Sequence, residues 1–187
     1  MLPKLKSMAI SASLAATMAL SSRVVYGEAE TVFPMIGKSE TSSFSPNRRY
    51  SLYDEDRDQV PYHSLLLKEK TNGTSIKILD FNRHVEVSWK SDSRYFYINN
   101  YYASDASDCM LFSVRPLKGV GVTQILQKYL HSKARNLASG PLYITCAWWQ
   151  VPTILEIKVS GFEGSGKHQS RMIKHYRFDV STDSIVS

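Results

Sequence analysis

The chain has 187 residues, 43% of them hydrophobic and 21% charged, with a formal net charge of +6. That balance excludes a disordered or fibrous protein and leaves room for one domain with a real core. Lysine and arginine are interleaved with acidic residues and form no stripe, which argues against a nucleic-acid surface.

The first 27 residues read as an export signal. Lys4 and Lys6 form a short positive n-region, and Met8–Leu20 is an uncharged, mostly apolar run of 13 residues. Small residues follow at spacings a signal peptidase accepts: Ala19-x-Ser21, Val25-x-Gly27 and Gly27-x-Ala29. A bilayer span needs ~20 apolar residues, and no later stretch comes close, so no transmembrane segment is expected after cleavage. No cysteine directly follows the apolar run, so a lipid anchor is not expected either. The rival reading is a mitochondrial transit peptide, because the leader is Ser-rich and carries no acid before Glu28. Against it stands the presence of a single arginine, Arg23. The expected compartment is periplasmic or secreted, which removes ATP and NADH; no cofactor is expected. Without the leader, 160 residues of net charge +3 remain. Residues 28–48 hold little that could bury itself and read as a flexible lead-in, and 49–187 as a single β-rich domain.

Within the domain the dominant period is two. Asp54 to Asp58 reads as an acidic surface turn and Ser64 to Lys70 as a strand. Thr71-Asn72-Gly73-Thr74 is a hairpin turn leading into Ser75–Leu79. His84 to Trp89 alternates, with Val85, Val87 and Trp89 on one face. Arg94 to Tyr102 is an aromatic strand, followed by a polar loop (Ala103 to Asp108) and a strand from Cys109 to Val114. Val122, Ile125, Leu126, Tyr129, Leu130 and Leu137 fall at helical spacing, with Thr123 and Gly140 suited to the ends of the helix. Strands resume at Leu142–Trp149, Thr153–Ser160 and Arg171–Val180. The fold class expected is α+β, mainly β: antiparallel blade-like meanders of about seven strands, with one amphipathic helix packed on the sheet.

Trp89-Lys90-Ser91-Asp92-Ser93-Arg94-Tyr95-Phe96-Tyr97-Ile98 resembles the Trp-Ser-Pro-Asp-Gly/Ser turn and apolar strand of blades in TolB-like β-propellers. Tyr176 to Ile185, with Asp179 and a Ser-Thr-Asp turn, is similar to the outer end of such a blade. Lys90-Ser91 departs from Ser-Pro, and the domain is too short for a closed propeller. The resemblance implies local blade-like meanders and no catalytic residue.

Cys109 and Cys146 read either as one disulfide, in an oxidising compartment, or as two buried free thiols. Gly161-Phe162-Glu163-Gly164-Ser165-Gly166-Lys167-His168 matches Gly-x4-Gly-Lys. His168 stands where the motif needs a hydroxyl, however, and a strand, not a helix, is expected to follow. His63, His84, His131, His168 and His175 show no zinc spacing, and no metal is expected. Ser104, Asp105, Ser107 and Asp108 offer alternating oxygens but lack the spacing of a calcium loop, and read as a solvated loop. Lys128, His131 and Arg135 form a polar side of the helix.

The aromatic residues carry the remaining signal. Tyr95, Tyr97 and Tyr101, with Trp148 and Trp149, are the candidate binding residues, since tyrosine and tryptophan anchor recognition surfaces. The helix covering that second face is the open alternative. The expectation is an exported, non-enzymatic binding protein, of inhibitor or immunity type, whose partner is a protein of the envelope or extracellular space. The alternatives are a small hydrolase with a non-local site near His168 and His175, and a glycan- or cell-wall-binding module.

Overall fold

The computed structural model describes residues 30–33, 42–56, 63–133, 142–150, 152–163 and 170–186. Among them, thirteen strands and one helix build two sheets. The smaller sheet is an antiparallel meander of β2 (Ser42–Phe44), β3 (Tyr50–Asp56), β4 (His63–Glu69) and β5 (Ser75–Phe81). The larger runs, in spatial order, β1 (Thr31–Phe33), β6 (His84–Trp89), β7 (Tyr95–Tyr101), β8 (Ala106–Val114), β10 (Leu142–Gln150), β11 (Ile154–Glu163), β12 (Ser170–Asp179) and β13 (Ser184–Val186). The remaining strand, β9 (Leu117–Gly121), pairs with the last part of β8, and α1 (Val122–Ser132) follows it directly. Every pairing is antiparallel except β8 with β10, which run parallel through Ala106 and Ser107. The chain is thus mainly β, with antiparallel meanders and a single helix packed on the sheet.

The alternation in β6 places Val85, Val87 and Trp89 in a core between the two sheets, with Leu52, Leu65, Phe81, Phe96 and Ile98. β7 buries both of its faces. Phe96 and Ile98 enter that core, whereas Tyr97 joins a second core with Cys109, Leu111, Ile157 and the helix residues Val122, Leu126 and Leu130. The second face of the aromatic strand is therefore covered by α1 and β10–β12.

Strands β2–β5 and β6–β9 are two tandem four-stranded meanders, each opening with the same six-residue turn. Ser45 N–H donates to Tyr50 O (2.9 Å) and Arg48 N–H to Ser45 O (2.7 Å); Lys90 N–H donates to Tyr95 O and Ser93 N–H to Lys90 O (both 2.8 Å). The fourth residue of each turn is left-handed, with φ of 55° at Arg48 and 60° at Ser93. Asn47 and Asp92 each accept the backbone N–H two residues on, at 2.9 Å. The two turns also touch, through Asn47 N–H and Ser93 Oγ at 3.0 Å.

Several expectations are corrected. The lead-in 28–48 contributes β1 and β2, which the neighbouring strands β6 and β3 complete by pairing. The acidic turn after Tyr53 is part of β3 as far as Asp56, and the polar loop before Cys109 becomes strand at Ala106, where β8 pairs with β10 before β7 takes over at Asp108. Thirteen strands stand where about seven were expected; three of them, β1, β2 and β13, are only three residues long. The residue preceding α1 is Gly121, with no side-chain cap; Thr123 lies inside the first turn, and its Oγ1 accepts the Cys109 N–H at 2.8 Å. The leader, Arg135, Leu137, Gly140 and His168 lie outside the described residues. Among the described residues no helix is long and apolar enough to cross a membrane.

Cys109 and Cys146 are joined in a disulfide, with Cα atoms 5.5 Å apart. Beside it, Asn99 mimics a strand: its Oδ1 accepts the Cys146 N–H (2.7 Å) and its Nδ2 donates to Cys146 O (2.9 Å). Replacing Asn99 with leucine strands both buried backbone groups, at an expected cost of roughly 2–3 kcal/mol. Urea unfolding measures this, and a cost below about 0.5 kcal/mol would refute the role.

Candidate functional site

The candidate site is an acid-lined pocket of about 420 Å³ where β8 begins, walled by Tyr102 and Asp105, by Asp108, by Thr123 and Gln127 of α1, and by Ile144 of β10. Its frame follows from local pairing. Leu142 N–H donates to Asp105 O (3.2 Å) and Ser107 Oγ to Ile144 O (3.1 Å), which hold the start of β8 against β10. The Tyr143 hydroxyl donates to Ser104 O. The disulfide at Cys109 and the Thr123 contact fasten the next residue to β10 and to α1.

Burial pushes the Asp108 carboxyl above its ordinary range, and a hydrogen bond from Thr123 pulls the other way. The Tyr102 phenol is also raised, first by burial and then by the negative charges of Asp108 and Asp105. Both carboxylates therefore lie near enough to act on the phenol through their charge. Among the described residues no lysine, arginine or histidine forms an ion pair with Asp105 or Asp108. By contrast, Glu69 meets Arg49 and Arg115, Asp92 meets Lys90 and Arg94, and Asp183 meets Lys118. At Asp92 burial alone would raise the carboxyl, but the bonds from Lys90 and Arg94 hold it below its usual range.

The aromatic candidates do not form one surface. Tyr97 is 1% exposed, so it is a core residue and cannot meet a ligand as it stands. Its hydroxyl lies 2.9 Å from both Glu30 Oε1 and Ala147 O, and burial, then the Glu30 charge, raises the phenol far above its normal value. Tyr95 and Trp149 are partly buried at the edge of the helix-side core, their rings 6.3 Å apart, with Lys90 Nζ 6.0 Å and 5.9 Å from the two centroids. Tyr101 lies elsewhere, stacked on His84 at 4.4 Å with its hydroxyl donating to Glu86 at 2.7 Å. Trp148 and Trp149 are consecutive in β10 and face opposite sides; the register shift between Cys146 and Trp148, with Ala147 as the extra residue, decides that Trp149 and not Trp148 shares the core side with Cys146. The Trp148 ring lies 5.6 Å from His175.

His175 Nδ1 is 3.4 Å from Glu156 Oε1, and Gln150 Nε2 donates to Glu156 Oε2 at 3.0 Å. The first described element after the Gly-rich stretch is the strand β12, where a phosphate loop would lead into a helix. Asp54, Asp56 and His63 are the one group among the described residues with metal-ligand geometry, their ligand atoms within 4.8 Å of one another. His63 Nδ1 hydrogen-bonds Asp56 Oδ1 at 2.8 Å, and the ring stacks on Phe81.

Sequence reasoning noted Asp105 and Asp108 but missed Thr123, Gln127 and Ile144 as their neighbours. The available signal was the alternation of Ser and Asp immediately before a cysteine. No protein-family model matches the chain, and no curated protein matches it.

Proposed function

We propose that the chain is an exported, non-enzymatic binding protein that acts on another protein of the envelope or extracellular space, in the manner of an inhibitor or immunity protein. The observation that carries this reading is the pocket. Two carboxylates, neither ion-paired among the described residues, line a cavity whose described lining includes no histidine, cysteine or lysine, a composition suited to holding a ligand rather than to transferring a proton or an acyl group. The leader and the disulfide support the compartment, since disulfides persist in oxidising surroundings. The matched turns at Ser45–Tyr50 and Lys90–Tyr95 support the reading of β2–β5 and β6–β9 as blade-like meanders, which serve as a scaffold.

The full chain, immobilised and offered envelope and extracellular proteins of its host, is expected to retain one protein near stoichiometry. The complex should re-form from the two purified proteins. A folded chain that retains nothing would overturn the reading. One contact favours a second reading, hydrolysis around His168 and His175: a carboxylate beside a histidine, as Glu156 is beside His175, orients an imidazole base. A hydrolytic activity abolished by His175→Ala would establish it.

A further inference from the structure

We propose that the pocket between Tyr102–Asp108 and α1 is a subsite for one arginine side chain presented by the protein partner. The proposal rests on the reading of the chain as a binding protein and adds the chemistry of what is bound.

Charge comes first. Asp105 and Asp108 place two carboxylates at one cavity, and the described residues supply no cation to either. Partial burial makes the Asp108 charge costly, so a cation seated beside it offsets that cost. Shape and surface then narrow the class. At about 420 Å³ the cavity lies at the small end of ligand sites, with room for one long side chain and part of the backbone that carries it. Leu142 and Ile144 give an apolar wall for a methylene stem. Tyr102, 51% exposed, offers a ring face to a planar cation. A guanidinium matches two carboxylates and a ring better than an ammonium does, because it donates in a fork and stacks.

Acidification should weaken the site. Among the described residues the titratable groups lining it are Tyr102, Asp105 and Asp108; α1 contributes Thr123 and Gln127, and β10 contributes Leu142 and Ile144, none of which titrates in this range. The Asp108 carboxyl, raised by burial, takes up a proton before an ordinary aspartate would. Binding is therefore full at neutral pH and falls as pH drops through that raised value.

The test titrates the full chain with acetyl-Gly-Arg-Gly-amide, followed by amide NMR shifts, beside the same peptide carrying lysine or citrulline and beside agmatine. The arginine peptide is expected to shift the Asp108, Thr123 and Gln127 signals. The uncharged citrulline peptide should bind at least tenfold more weakly, and lysine should fall between them. Asp105→Asn with Asp108→Asn, its spectrum otherwise unchanged, should lose at least tenfold, and Asp105→Asn alone a smaller factor. Equal binding of arginine and citrulline peptides to the unaltered chain overturns the proposal without relying on any variant. Agmatine binding more tightly than the peptide overturns the assignment to a protein side chain and makes the ligand a free amine. If the double variant still captures the protein partner as well as the unaltered chain does, the subsite is wrong and the binding reading stands. If the unaltered, folded chain captures no partner, the binding reading itself fails.

Discussion

Truncating Phe96 to alanine is expected to destabilise the chain by about 3–5 kcal/mol, the range for deleting a fully buried aromatic ring. Phe96 is 0% exposed, and its ring lies 4.8 Å from Trp89 and 5.2 Å from Phe112. Strands on both sides of β7 hold those partners in place, so the void has little chance to collapse. Against a total stability of ~5–15 kcal/mol, the loss should be visible as a large fall in the urea midpoint at constant slope. Phe44, 62% exposed on a short edge strand, provides the comparison: its truncation should stay within about 0.5 kcal/mol. If the two substitutions cost the same, the core between the sheets is wrongly assigned.

The second large effect is expected from removing the disulfide. Cys109 and Cys146 are 37 residues apart, and closing such a loop restricts the unfolded chain by about 3–4 kcal/mol in the chain-entropy account. The native contribution is specific to this topology. Only two residue pairs join β8 to β10, so the bridge and the Asn99 side chain do much of the work of an extended ladder there. Cys109→Ser with Cys146→Ser, or reduction of the unaltered chain, should lower the melting temperature by on the order of 10 °C, as read by calorimetry. A fall of less than about 2 °C would show that β10 is held without the bridge. The double variant should also bind the arginine peptide less well, because Asp108 immediately precedes the bridged cysteine.

Legibility varied with how local the cause was. β6 could be read because Val85, Val87 and Trp89 alternate with polar residues. The Asn72-Gly73 turn could be read because the left-handed position, φ 68° at Gly73, is one that glycine occupies without strain. β9 could not, since Lys118, Gly119 and Gly121 are poor strand formers. Pairing with β8 makes it a strand, and the Phe112 ring lies over Gly119, where a Cβ would come within 2.8 Å of it. Tyr97 illustrates a different limit. Its alternation with Phe96 and Ile98 told which residues share a face, but not that α1 and β10–β12 cover that face.

The sequence by itself determined the fold class, the position of the helix, the strand pattern from Ser64 to Val114 and the residues most apt to form a disulfide. These depend on side-chain period and turn chemistry, which act over a few residues. Only the tertiary structure decided which aromatics are buried, which face Trp148 and Trp149 each take, that Cys109 meets Cys146, and that Asp105 and Asp108 share a cavity with Thr123, Gln127 and Ile144. Each of these depends on register and packing between segments distant in the chain, and a one-residue bulge or a helix laid over a sheet changes them while leaving every local pattern as it was.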